Sequence, residues 1–175
     1  MLPDIVAPDL DILFCGTAAG HASARRGHYY AGPGNRFWPM LAECGLTPRL
    51  LRPEEDDLLP GFGMGLTDLA KDVSGMDRDI PAAAWAPARL AALVTRIRPR
   101  ALAFTSLTAA RLALNRRGLG PGRQAAELHL PGVAIFALPS PSGAARGSFS
   151  PAPWQALAEW KLGADWKRGA EWVRG

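Results

Sequence analysis

Residues 12–16 read Ile12-Leu13-Phe14-Cys15-Gly16, four apolar side chains in a row stopped by a glycine. A run this short, apolar on both faces and closed by glycine, predicts a buried strand of a parallel sheet that feeds a loop. Three further stretches fit the same description. Phe62 to Leu69 predicts a second strand running into a loop that carries Asp68, and Ala101-Leu102-Ala103-Phe104-Thr105 a third. Val133-Ala134-Ile135-Phe136-Ala137-Leu138 is the clearest strand, and it stops at Pro139-Ser140-Pro141-Ser142-Gly143.

Helical patterns lie between and after these strands. Phe37, Leu41 and Cys44 are helix-spaced, with Asn35 as N-cap and Gly45 as the stop. Residues 88–98 carry Leu90, Leu93, Val94 and Ile97 on one face and Arg89, Arg96 and Arg98 elsewhere. Ser106 is placed to cap a helix running to Leu114, and a final helix starts near Pro151 and reaches at least Leu162, with Trp154, Leu157 and Trp160 inward. Trp166 and Trp172 give the remaining tail the means to dock. The acidic run Glu54 to Asp57 reads as the solvated start of a helix, residues 72–87 as irregular, and residues 116–123 as a basic, glycine-rich turn. Strands alternating with helices predict an α/β chain: a three-layer α/β/α sandwich with a short central parallel sheet.

The 175 residues are expected to form one domain, residues 1–175. A hydrophobic fraction of 48% against a charged fraction of 21% excludes a disordered chain. No apolar run approaches the roughly 20 residues needed to cross a bilayer, so no membrane partner is expected. The start of the chain lacks a signal-peptide pattern, and a cytoplasmic, bacterial, nucleoid-associated location is the expectation. Cys15 and Cys44 supply neither a disulfide framework nor metal-ligand spacing; no metal and no cofactor are expected, and Cys15 reads as a core residue. The net charge is +4, and 17 of the 20 basic residues are Arg, whose planar fork suits phosphates. A GC-rich genome gives the same skew, so charge decides nothing alone.

Ligands of open parallel sheets bind beyond the carboxyl ends of the strands. The loops at those ends hold Gly16 to Asn35, Asp68, and Ser140 to Ser148. The first shows no hydrophobic period, and long loops in compact domains are usually functional.

The residues at these ends resemble the mismatch-specific uracil/thymine-DNA glycosylase family of the uracil-DNA glycosylase superfamily, over about residues 4–175. The matching blocks are Phe14-Cys15-Gly16 followed by Gly20, then Asn35-Arg36-Phe37-Trp38, then Gly65-Leu66-Thr67-Asp68-Leu69, and Pro141-Ser142-Gly143 with Arg146. The resemblance implies a uracil-DNA glycosylase-like fold and a monofunctional enzyme that flips out a deaminated base and hydrolyses its N-glycosidic bond. Neither metal nor cofactor is implied. DNA containing uracil or other deaminated bases would be the partner and a monomer the expected state. Gly16, Thr17, Ala18, Gly20, Ser23, Tyr30 and Asn35 fall at base-binding positions, Tyr30 at the one that stacks on the base. Ser140, Ser142, Gly143, Ala144 and Arg146 fall on the loop that enters the duplex. Arg25, Arg26, Arg116, Arg117 and Arg123 could extend a surface for the DNA backbone.

Two departures alter the expected chemistry. The family's first loop reads Gly-Ile-Asn-Pro-Gly, whose Asn positions the attacking water; here it reads Gly16-Thr17-Ala18-Ala19-Gly20. Ala18 has no polar side chain, and the catalytic role is therefore expected to pass to Asp68, orienting water and stabilising the sugar cation. Asp72 and Asp77 are reserves, and a turn-capping role for Asp68 is the competing reading. The duplex-entering loop carries Ser140 and Ala144 where the family has Asn and a bulky Leu. With so small a wedge, weaker discrimination for G-mismatches and better use of single strands are expected. Two alternatives remain: a glycosylase for hypoxanthine or xanthine, and a non-catalytic protein that binds damaged DNA.

Overall fold

A computed structural model describes residues 1–174, without the side chains of 146, 148 and 164–174. Five strands form one sheet in the order β2-β1-β3-β5-β4: β1 Ile12–Gly16, β2 Met64–Asp68, β3 Ala101–Phe104, β4 Gly122–Gln124 and β5 Ala134–Ala137. The pairings of β1 with β2, β1 with β3, and β3 with β5 are parallel. The five helices are α1 His21–Arg26, α2 Phe37–Glu43, α3 Pro87–Ile97, α4 Leu107–Leu114 and α5 Ala152–Arg174.

β1, β2, β3 and most of β5 are buried on both faces, which is why these stretches read as largely apolar runs, whereas β4 is partly exposed. Ile12 and Phe14 of β1 point into one core with Phe37, Trp38, Leu41, Trp154 and Leu157 of α2 and α5. Leu13 and Cys15 point into the other with Leu90, Val94 and Ile97 of α3 and Ala109 and Leu114 of α4. The chain is thus the expected three-layer α/β/α sandwich, with a mixed rather than wholly parallel sheet. β4 runs antiparallel to β5, starting at the end of the basic, glycine-rich stretch 116–123, which is therefore not all turn.

Ser106 caps α4 as expected, its Oγ accepting the Ala109 N–H; the N-cap of α2 is Arg36 rather than Asn35, and Asn35 Oδ1 accepts the Phe37 N–H from one residue further back. Three further expectations need correction. The loop from His21 begins with a six-residue helix, closed by Gly27 in the left-handed conformation at φ 75°. The acidic run belongs to a 3-10 helix, Pro53–Phe62, and is not wholly solvated: Asp56 is buried and accepts the Tyr29 N–H at 3.0 Å. Trp160 is only half-buried, edge-on to Phe136. The side chains of Trp166 and Trp172 lie outside the described residues.

One feature of the sheet edge positions the site. The segment before β1 lies antiparallel along β2, with Ile5 and Leu66 exchanging both backbone hydrogen bonds at 3.0 and 2.8 Å. It covers an otherwise open edge and passes so close that a side chain on Gly65 would stand 2.7 Å from the Ile5 carbonyl oxygen. Asp4 is thereby delivered beneath the end of β2, next to Asp68.

Candidate active site

A cleft of about 770 Å³ opens at the carboxyl ends of β1, β2, β3 and β5. Every base-binding position expected from the sequence lines it (Gly16, Thr17, Ala18, Gly20, Ser23, Tyr30 and Asn35), as do Asp68, Ser140, Ser142, Gly143 and Ala144. The side chain of Arg146 lies outside the described residues.

Asp68 closes β2 and is 4% exposed. Its carboxylate accepts no hydrogen bond among the described residues, so it does not cap the following turn. What surrounds it is charge. Arg89 reaches from α3 to donate to the Asp68 backbone oxygen at 2.6 Å, to Thr67 Oγ1 at 3.0 Å and to Asp4 Oδ2 at 3.0 Å. Lys71 Nζ lies 3.1 Å from Asp4 Oδ1 and donates to Tyr29 Oη at 2.8 Å. Burial pushes the Asp68 carboxyl up to about 6; Lys71 and Arg89 work against that rise and Asp4 adds to it. Asp4 itself ends below the usual carboxylate range: burial opposes its ionisation, but the Thr67 hydrogen bond and the two cations outweigh burial.

Gly16 is the hinge of the floor. A methyl group there would lie 2.7 Å from Asp68 Oδ1, 3.3 Å from Tyr30 Oη and 3.4 Å from Thr105 Oγ1, so three oxygens from three elements converge on the space its missing side chain leaves. Tyr30 Oη and Thr105 Oγ1 are hydrogen-bonded at 2.9 Å. One face of the Tyr30 ring is stacked on Phe37, centroids 3.9 Å apart and 19° from parallel. The ring is thus fixed from behind and at its tip. Tyr30 also holds a left-handed backbone, φ 52°, which is uncommon for a bulky residue and marks a position imposed by its surroundings. Burial and the neighbouring Asp68 keep its phenol protonated. Tyr29, by contrast, packs: it is buried and its hydroxyl donates to the Pro3 oxygen at 2.9 Å.

The loops around the floor hold one another. Ser23 Oγ accepts the Ala31 N–H at 3.0 Å, tying α1 to the Tyr30 loop. Arg36 N–H donates to the Pro141 oxygen at 2.8 Å, and a side chain on Gly143 would meet the Pro33 oxygen at 2.9 Å, so the rim carrying Ala144 sits directly on the loop before α2. Ser142 Oγ accepts the Ala144 N–H, and Ala144 is exposed. On the other rim the Gly75 N–H donates to the Ala19 oxygen at 2.9 Å, and Asp77 accepts from Thr17 Oγ1 at 2.5 Å. The N–H groups of Ala18 and Gly20 have no hydrogen-bond acceptor among the described residues.

Sequence reasoning missed Thr105, Ser106 and Arg78 in the lining. Thr105 and Ser106 follow β3, and the rule that placed the other loops would have found them. Of the Arg residues considered for the DNA backbone, Arg26 is paired with Glu54, Arg116 with Glu127 at 2.6 Å, and Arg123 lies over the Phe136 ring at 5.9 Å; Arg25 and Arg117 are exposed.

At one end of the sheet stand a buried carboxylate, a fixed aromatic ring and backbone N–H groups with no acceptor among the described residues. The sequence model of the Uracil DNA glycosylase superfamily matches residues 3–161. The chain belongs to that superfamily, whose members are DNA glycosylases. The fold is also that of a candidate uracil DNA glycosylase from Methanosarcina acetivorans, solved by solution NMR: TM-score 0.67, 21% identity, 92% of this chain and 96% of that one covered.

Proposed function

We propose that the protein excises uracil from DNA by hydrolysing its N-glycosidic bond, with Asp68 in the place of the mismatch-specific family's usual Asn. In this reading the extruded base enters the cleft and lies on the free face of Tyr30, where stacking contributes about 1–3 kcal/mol. As the bond between C1′ and the base nitrogen lengthens, its electron pair leaves with the base and the sugar becomes cationic. The Asp68 carboxylate stabilises that cation. A charge pair about 4 Å apart at an effective dielectric near 20 is worth roughly 4 kcal/mol, about three decades in rate. The same carboxylate orients the water whose oxygen forms the new bond to C1′ and accepts the proton it sheds. The Ala18 and Gly20 N–H groups are suited to the negative charge arriving on the base carbonyl oxygens. The uracil anion takes up a proton from solvent, Asp68 gives its own back to solvent, and an abasic site and free uracil result.

The observation that carries the reading is the Asp68 carboxylate, buried at the cleft floor with no hydrogen bond among the described residues to divert it. Incubating uracil-containing single- and double-stranded oligonucleotides with wild type and Asp68→Asn tests it. Wild type is expected to release uracil and Asp68→Asn to lose at least a hundredfold in rate; equal rates would refute the role. The width of the cleft favours a second reading, hypoxanthine or xanthine as the preferred base, because about 770 Å³ leaves room for a purine. A panel of deaminated bases separates the two.

A further inference from the structure

Thr17 Oγ1 donates its proton to Asp77 Oδ1 at 2.5 Å, across 60 residues of sequence. A threonine hydroxyl is ordinarily free to donate or accept. Here the proton is committed to the carboxylate, so the buried Thr17 oxygen can only accept from a ligand in the cleft. The second Asp77 oxygen has no partner among the described residues, and it too can only accept. The arrangement is braced: the Asp77 segment is bridged to the first loop by Ala19 and Ser74, with the Gly75 N–H on the Ala19 oxygen. Thr17 and Asp77 thus bring two acceptors, one a carboxylate, to the lining of the cleft, beside Arg78 and the N–H groups of Ala18 and Gly20, which have no acceptor among the described residues.

Deamination has one hydrogen-bonding consequence common to cytosine and adenine. Cytosine N3 and adenine N1 are acceptors; in uracil and hypoxanthine the same ring nitrogens carry hydrogen. Against the Thr17 and Asp77 acceptors the ring N–H of uracil or hypoxanthine can donate, whereas the ring nitrogen of cytosine or adenine brings a further lone pair. We propose that Asp77, with Thr17 oriented by it, is the specificity-determining residue that reads the ring N–H created by deamination. The inference rests on the base-excision reading of the same cleft. It assigns to Asp77 a part in recognition, separate from the part of Asp68 in bond cleavage.

The test measures binding, so that recognition and cleavage come apart. Single-stranded oligonucleotides carry one 2′-fluoro-arabino nucleotide, whose sugar resists cleavage, with either uracil or 3-methyluracil as its base. The methyl group removes the N3–H and keeps both carbonyls. Wild type is expected to bind uracil about tenfold more tightly, the worth of one hydrogen bond to a charged group. Asp77→Ala is expected to bring the two within twofold. Asp77→Asn, which keeps the shape and has one acceptor oxygen in place of two, is expected to fall between. A wild-type ratio near one, or the full wild-type ratio in both variants, overturns the proposal, the latter showing that the methyl group is excluded by shape alone. Release of free uracil from the ordinary deoxyribose oligonucleotide is scored separately. Its absence alongside an Asp77-dependent binding ratio would refute the excision reading and leave Asp77 as the reader of the base.

Discussion

The Asp68 carboxylate occupies the space that the missing side chain of Gly16 leaves open: a methyl group on Gly16 would stand 2.7 Å from Asp68 Oδ1. The two residues are paired across neighbouring parallel strands, each the last residue of its own. Gly16→Ala therefore displaces the carboxylate, and presses on Tyr30 Oη at 3.3 Å and Thr105 Oγ1 at 3.4 Å as well. A misplacement of about 1 Å at a reacting group can cost a hundredfold. We expect Gly16→Ala to fold, as circular dichroism will report, and to excise uracil about a hundredfold more slowly than wild type in single-turnover assays. A wild-type rate would mean that Asp68 need not stand where it does.

Burial holds the Asp68 carboxyl at about 6, above the ordinary 3.8. Cleavage uses the carboxylate, so kcat/KM is expected to be flat above pH 7 and to fall about tenfold per pH unit below 6. Stability runs the other way. A folded-state value raised above the unfolded one means that the neutral form is favoured on folding. That contribution is full below pH 3.8 and is lost as pH rises through 6. The gap is worth roughly 3 kcal/mol. Asp68→Asn should thus be more stable than wild type by about 2–3 kcal/mol at pH 8, several degrees in Tm, and no more stable at pH 3.5. Thermal melts at the two pH values check this; an Asn variant less stable at pH 8 would show that the ionised group is well accommodated.

The parallel strands were legible because they are largely buried on both faces and so mostly apolar, as Ile12 to Cys15 and Ala101 to Phe104 are throughout. β4 was not, because Gly122-Arg123-Gln124 is an edge strand held by backbone pairing, with no apolar side chain to betray it. Asp56 was read as solvated because charge runs usually are; only the fold brings the Tyr29 N–H against it. The cleft was legible where chemistry follows a strand end, as at Gly16, Asp68 and Ser140. The link between Thr17 and Asp77 was not, since it joins two segments with no period whose residues stand 60 positions apart.

Tyr30 is stacked on Phe37 on one side and tethered to Thr105 at its tip. Its contribution separates into the ring and the hydroxyl. Tyr30→Phe keeps the ring and loses one neutral hydrogen bond, so affinity for a uracil-containing single strand should fall less than about fivefold. Tyr30→Ala loses the platform, worth about 1–3 kcal/mol, and affinity should fall about ten- to a hundredfold. Fluorescence anisotropy with a cleavage-resistant oligonucleotide measures both. Equal losses in the two variants would mean that the hydroxyl, not the face, meets the DNA.

Ala144 is exposed on the rim that Arg36 and Pro141 anchor, where its single methyl group cannot replace an extruded base in the stack. Adding bulk there should help only duplex substrates, because a single strand has no gap to fill. Ala144→Leu is expected to raise the rate on a duplex containing a G·U pair severalfold and leave the single-strand rate within twofold. A change of equal size on both substrates would place Ala144 away from the opposite strand.

Arg89 joins Asp4, Thr67 and the Asp68 backbone oxygen from below β2, and with Lys71 it is one of two cations that oppose the effect of burial on the Asp68 carboxyl. Replacing either cation should let that carboxyl rise further. The acid limb of the pH–rate profile is expected to move to higher pH in both Arg89→Met and Lys71→Met, and further in Lys71→Met, whose charge acts more strongly on Asp68. Asp4 loses a partner in each variant, so stability should also fall, by about 1–3 kcal/mol, as a half-buried carboxylate is left with fewer donors. The two effects have different signatures. A structural brace alone would lower Tm and leave the limb where it is, whereas a group that keeps Asp68 ionised moves the limb whatever happens to Tm. Because both variants retain Asp68 and Gly16, the rate on the alkaline plateau should stay within about threefold of wild type, and a plateau that collapses instead would make Arg89 and Lys71 parts of the scaffold rather than of its electrostatics.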